Sequence, residues 1–170
     1  MPDKQAQFAR IKTLIFDVDG VFTDGRVNLL ATGEQYRTFD IKDSYAIEMA
    51  IKAGFRVGIV SSASADGVRT WLEKLNVEDI FMGGPPDQKL NAYLSYVTRD
   101  GLNESDILYM GDDLPDHPIL SRPDVLGTCP ADAVEEVKAV CTYVSSKPGG
   151  GGAVRDVVEQ VMKAQGKWTV

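Results

Sequence analysis

The chain has 170 residues, 44% apolar and 25% charged, enough for one domain with its own core and too short for two. Lys and Arg number 18 against 25 Asp and Glu, a net charge of −7 with a pI near 4.7. Repulsion between like charges argues against nonspecific binding to nucleic acid or anionic membranes, but not against a small anionic substrate, because a bound cation reverses the sign locally.

The opening residues, MPDKQAQFARIK, lack the apolar stretch of a secretory signal, and no apolar run reaches bilayer length. TLIF (13–16) reads as a first buried strand, followed by RVNLLATGEQYRTF (26–39), whose Thr32-Gly33 tip between two extended runs predicts a hairpin. Residues 43–53 place Ala46, Ile47, Ala50 and Ile51 at helical spacing, with Gly54 as the stop. RVGIV (56–60) is the next strand, and Ser64 is placed to cap a helix carrying Val68, Trp71, Leu72 and Leu75. DIFM (79–82), a helix with Leu90, Tyr93, Leu94 and Val97, then ILYM (107–110) and VLGT (125–128) continue the alternation. Helices are expected over 132–140 and 153–164, with Gly149–Gly152 as a flexible joint before the last. The two cysteines, Cys129 and Cys141, and the single histidine, His117, are scattered. They make neither a zinc site nor a disulfide framework and fit a reducing cytoplasm.

This order predicts an α/β fold, a Rossmann-like three-layer sandwich with a central parallel sheet, over one domain spanning 1–170. Ligands in such folds sit beyond the carboxyl ends of the strands. There the chain delivers Asp17-Val18-Asp19-Gly20 after the first strand, Ser61-Ser62 after the second, and Gly111-Asp112-Asp113-Leu114-Pro115-Asp116 after ILYM, with Lys89 opening the helix after the third. Gathered in one crevice, these carboxylates repel one another unless a hard divalent cation joins them, and Mg2+ takes a few carboxylate oxygens, water and phosphate oxygens. A cation, a carboxylate, a hydroxyl and a lysine together suit a transferring phosphoryl group. Taken singly, DVDG is also an ordinary turn, GDDLPD a solvated acidic loop and Lys89 a surface lysine; the joint order, each after a strand, favours the site. An EF-hand fails because its fifth and sixth loop positions are Val21 and Phe22.

These four elements, over residues 17–116, resemble the haloacid dehalogenase superfamily of aspartyl-phosphate enzymes. DVDGVFTDG, the hairpin, FDIKDSYAI, YMGDDLPD and GGGGAVRD narrow the resemblance to its small capless branch, the 3-deoxy-D-manno-octulosonate 8-phosphate phosphatases, whose relatives act on nine-carbon sialic-type 9-phosphates. The resemblance implies Asp17 as nucleophile and Asp19 as acid/base. It gives Ser61 and Lys89 the phosphoryl oxygens, and Mg2+ would be held by Asp17, the Asp19 backbone carbonyl and Asp112, supported by Asp113 and Asp116. It places Asp40, Ile41, Lys42, Asp43 and Ser44 along the sugar pocket, although Asp43 or Ser44 is equally suited to capping the following helix. It also implies a homotetramer, in which the hairpin near 26–39 stands in for a cap domain and the tail from about 147 reaches a neighbouring site. Relatives follow the strand-end hydroxyl with Gly and often carry arginines nearby; here the run is Ser61-Ser62-Ala63-Ser64, Arg69 remains and Trp71 stands where a second arginine would. The loop before Lys89, GPPDQK, is longer than usual, which leaves the placement of Lys89 open. A phosphoaccepting regulatory module, which shares an acidic Mg2+ pocket but does not need Asp19, and a noncatalytic scaffold are the competing readings.

Overall fold

The computed structural model describes residues 4–168. Among these, six parallel strands form one sheet in the order β5-β4-β1-β6-β7-β8: β1 (Thr13–Phe16), β4 (Arg56–Ser61), β5 (Asp79–Met82), β6 (Ile107–Met110), β7 (Leu126–Cys129) and β8 (Tyr143–Val144). Two-residue strands β2 (Asn28–Leu29) and β3 (Gln35–Tyr36) pair antiparallel as the hairpin. The predicted α/β sandwich and hairpin insertion are both present.

Strand side chains alternate between two cores, as a sheet covered on both faces requires. Leu14, Phe16, Val57, Ile59, Leu108 and Met110 pack on one side. There they meet α2 (Ile41–Lys52), α3 (Asp66–Lys74) and α7 (Ala153–Ala164), with α1 (Lys4–Ala9) against α7. Ile15, Val60, Ile107 and Tyr109 pack on the other, under α4 (Lys89–Arg99), α5 (His117–Leu120) and α6 (Glu135–Val140). In α7 a stripe of Ala153, Val154, Val157, Val158, Val161 and Met162 is buried, the spacing of one helical face. No helix among the described residues is long and apolar enough to cross a membrane.

Several local expectations are corrected. Ala65, not Ser64, precedes α3, and it offers no side-chain cap. α2 starts at Ile41, two residues earlier than its apolar spacing indicated, because the Asp40 carboxylate accepts from the Lys42 N–H at 2.7 Å. β7 runs one residue later than VLGT, and α6 begins at Glu135 rather than 132. Trp168 is half-buried, with the Arg155 guanidinium 5.5 Å from its ring centroid.

The glycine run is not a joint. A Cβ on Gly149 would lie 1.9 Å from the Gly20 carbonyl oxygen, and the Gly150 N–H bonds the Val21 carbonyl at 3.0 Å. These glycines exist for backbone-to-backbone contact with the loop after β1.

Candidate active site

The strands β1, β4 and β6 lie side by side in register, Phe16 opposite both Ile59 and Met110. Their carboxyl ends therefore open at one level, and the loops after them share one crevice. The loop after β1 is tied to β6 by the Asp17 N–H on the Met110 carbonyl at 3.0 Å and closes on itself through Phe22 N–H to Val18 C=O at 2.9 Å. Gly20, at φ +83°, turns this loop against Asp112; a Cβ there would come within 2.0 Å of an Asp112 oxygen.

A cleft of about 200 Å³ results, lined among others by Asp17, Asp19, Ser61, Lys89, Asp112 and Asp116. The loop before Lys89 delivers it to its place. As the first residue of α4 it is buried, and its ammonium sits 2.7 Å from Asp17 Oδ2 and 2.6 Å from Asp116 Oδ1. Burial opposes that charge, but Asp17 and Asp116 outweigh it and raise the Lys89 pKa. Ser61, buried at the end of β4, stands beside Asp17.

Burial, with Asp116 adding repulsion, pushes the Asp17 pKa up to about 6 against the opposing pull of Lys89 and Ser61. Burial, then Asp17 and Asp116, raises Asp112 to about 8, again with Lys89 opposing. One ammonium is too little positive charge for the cluster.

Oxygens of Asp17, Asp112 and Asp116 lie within 4.8 Å of one another, a separation suited to a small cation. Asp116 is already committed. Its Oδ1 accepts from the Tyr109 hydroxyl at 2.5 Å and from Lys89. Its Oδ2 accepts from the N–H groups of Asp112 and Asp113 at 3.2 and 3.4 Å. A carboxylate has about four acceptor directions, so Asp116 braces the loop, and Asp17 and Asp112 remain for the cation. This donor set, two carboxylates with room for water and phosphate oxygens, fits Mg2+. Asp113 is exposed and accepts from the Leu114 N–H at 2.8 Å.

The expected sugar-pocket residues do not line this cleft within one chain. Lys42 and Asp40 border a separate cleft of about 290 Å³ with Lys147, Arg155 and Glu159. Ile41 is 83% exposed, and the Ser44 hydroxyl donates to the Asp40 carbonyl at 3.1 Å. Asp43 is not a lining residue: it is fully buried and accepts from the N–H groups of Arg155 at 2.8 Å and Gly152 at 3.3 Å. It caps α7, more than 100 residues away, rather than its own helix, which Asp40 caps. Burial drives its pKa up to about 6 despite those two bonds. Arg69 borders a cavity of about 380 Å³ that adjoins the cleft at Ser61, Ser62 and Lys89. Trp71 stacks on Phe39 with centroids 3.9 Å apart, so an aromatic pair occupies its surroundings.

Two participants, Tyr109 and Arg37, and the contact made by Asp43 escape sequence reading. Tyr109 lies inside an apolar strand, and nothing local marks its hydroxyl. The Asp43 contact to α7 is long-range. Arg37, one residue past β3, forks onto Asp19; only the hairpin register, which turns Tyr36 outward, separates it from any other polar loop residue.

The fold, with acidic loops after β1 and β6, a hydroxyl after β4 and a lysine opening α4, defines a phosphoryl-transfer enzyme of the haloacid dehalogenase superfamily. No family model matches the chain. The 3-deoxy-D-manno-octulosonate 8-phosphate phosphatase KdsC of Escherichia coli K12 is 32% identical over 165 residues, 97% of this chain and 86% of its own length. A crystal structure of the Moraxella catarrhalis phosphatase of that name, in complex with magnesium, phosphate and KDO, matches with a TM-score of 0.90 and 30% identity over 95% of this chain and 91% of the other. The cobalt-bound Haemophilus influenzae phosphatase matches with a TM-score of 0.87 and 30% identity, over 94% and 92%. The chain belongs to the KdsC family of 3-deoxy-D-manno-octulosonate 8-phosphate phosphatases.

Proposed function

We propose that the chain is a Mg2+-dependent phosphatase that hydrolyses 3-deoxy-D-manno-octulosonate 8-phosphate through an aspartyl-phosphate. The observation that carries this reading is the convergence of Asp17 and Asp112 oxygens in one cleft beside an Asp116 whose own oxygens are all engaged. Asp17 attacks phosphorus while the bond to the sugar oxygen breaks, and that oxygen takes the proton of the Asp19 carboxyl. The Asp19 carboxylate then takes a proton from water as the water oxygen attacks the same phosphorus. Inorganic phosphate leaves and both aspartates are restored. The Ser61 hydroxyl and the Lys89 ammonium bind nonbridging oxygens throughout. Asp17, Asp112 and the Asp19 carbonyl would hold Mg2+, which would supply the charge neutralisation that lets an anionic nucleophile meet an anionic ester.

The retained acid/base Asp19 supports turnover over a regulatory phosphoacceptor. The aromatic surroundings of Trp71, with Arg69 as the nearby guanidinium, favour a second reading in which the sugar acid differs, a nine-carbon sialic-type 9-phosphate among the candidates. Assembly as a homotetramer is supported by apolar side chains on the hairpin, with Val27 40%, Leu29 70%, Leu30 47% and Tyr36 52% exposed. In such an assembly Lys42 and the tail serve a neighbour's cleft, and sizing in solution checks it against a monomer. Free thiols at Cys129 and Cys141 fit a reducing cytoplasm, and a sugar-acid phosphate substrate fits a route to lipopolysaccharide.

Phosphate release from a panel of sugar-acid phosphates and simple esters, with Mg2+ or EDTA, tests the reading. The expected result is metal-dependent turnover favouring the 8-phosphate and lost in Asp17→Asn. Stable phosphorylation without release contradicts it, and equal rates on every ester contradict the substrate assignment.

A further inference from the structure

Asp19 must hold its carboxyl on the side of phosphorus opposite Asp17, yet its own loop scarcely restrains it. The Thr23 hydroxyl is 3.5 Å from Oδ1, at the limit of a hydrogen bond. Its firm partner comes from the hairpin: Arg37 Nε donates to Oδ1 at 2.6 Å and Nη2 to Oδ2 at 2.9 Å. We infer that Arg37 is the positioning residue of Asp19, fixing the plane of the acid/base carboxyl from the hairpin's return strand; this rests on the phosphatase reading of the cleft.

Three features separate this pair from an ordinary surface salt bridge. The fork engages both carboxylate oxygens, and a planar bidentate contact fixes orientation where a lysine would fix only a point. Burial is unequal. The Arg37 side chain is 6% exposed and that of Asp19 31%, so a buried arm holds a group that faces the open cleft. Finally, Arg37 Nη1 is buried without a hydrogen-bond partner among the described residues. Burying a guanidinium donor unpaired is costly, and a structural ion pair at the surface would avoid that cost. Without Arg37, the only remaining side-chain partner of the Asp19 carboxyl among the described residues is the Thr23 hydroxyl at 3.5 Å. Tyr36, the preceding residue, is exposed on the hairpin, so the hairpin's conformation bears directly on the acid/base.

The test combines kinetics and crystallography. Arg37→Ala is expected to lower kcat on 3-deoxy-D-manno-octulosonate 8-phosphate by about 10- to 100-fold, with KM and the Mg2+ requirement within about threefold. Arg37→Lys, which keeps charge and bulk, should recover little of the loss. Guanidinium chloride should restore part of the Arg37→Ala rate where equal sodium chloride does not. In an Asp19→Asn background Arg37→Ala should cost no more than about twofold further, since its effect passes through Asp19. A crystal structure of Arg37→Ala should show the Asp19 carboxyl rotated or spread over several positions. Full kcat in Arg37→Ala, equal losses in both backgrounds, or an unmoved Asp19 carboxyl in that crystal structure would overturn the inference. If the unaltered chain releases no phosphate with Mg2+, the phosphatase reading fails by itself, and the crystal structure still decides whether Arg37 holds Asp19.

Discussion

The floor of the cleft and its rim are built differently. On the floor, Asp17, Ser61, Lys89 and Asp116 are buried, and each lies at the end of a buried strand or at the start of a helix. Lys89, Tyr109 and the N–H groups of Asp112 and Asp113 together engage both oxygens of Asp116, and the β1 loop is locked by a hydrogen bond to β6. On the rim, Ile41 and Lys42 are exposed, and the hairpin presents Leu29 and Tyr36 to solvent. The phosphoryl group, common to every substrate of such a site, is met by parts that cannot move without disturbing the core. The organic portion, which varies, is met by parts that one chain leaves open. On the proposed reading, the buried floor would carry the chemistry, and the exposed rim would carry the selectivity.

If that division is right, damage on the floor costs both activity and stability. Lys89→Met should lower kcat by about 10²- to 10³-fold, because a phosphoryl-oxygen ligand is lost. It should also destabilise the protein by about 3 kcal/mol, because Asp17 and Asp116 then face each other without their buried cation partner. Steady-state kinetics and denaturant titration check the two halves. A variant that loses activity alone would mean that the floor is not braced through Lys89.

The metal-free protein should also show the strain of the floor. Asp17 and Asp112 have pKa values raised to about 6 and about 8, so the folded state binds more protons than the unfolded one above pH 4. Stability without metal must then fall as pH rises from about 4 to 8. Mg2+ should reverse the trend, and the rise in Tm on adding it should be larger at pH 8 than at pH 5. Asp112→Asn should stabilise the metal-free protein at pH 8 by on the order of 2 kcal/mol and abolish that Mg2+ effect. Thermal melts over this range decide; a Mg2+ shift equal at both pH values would contradict the repulsion.

The smallest effect belongs to the border between floor and rim. Asp43→Ala removes the cap on α7 and should cost about 1–2 kcal/mol, with kcat changed by less than about threefold because Asp43 does not reach the cleft. A large loss of kcat with little loss of stability would return Asp43 to the substrate pocket.

What could be read in the sequence follows the same line. Asp17, Asp19, Ser61 and Asp112 sit in short runs immediately after apolar strands, where α/β topology alone brings them together. Lys89 needed that topology as well, since nothing local distinguishes it from a surface lysine at the end of a long loop. Contacts between distant segments were not legible. Asp43 meets α7 across 112 positions, and Gly149 and Gly150 look like a hinge until the backbone of Gly20–Asp24 is placed against them. Arg37 was missed because two-residue strands carry too little periodicity to say which side chain turns inward.

The most direct test of the account is a single turnover with substrate labelled in its phosphoryl group, quenched in acid and mapped by peptide. Label is expected on the Asp17 carboxyl, dependent on Mg2+ and lost in Asp17→Asn. Phosphate released with no protein-bound label at any time, or label carried by another residue, would contradict it.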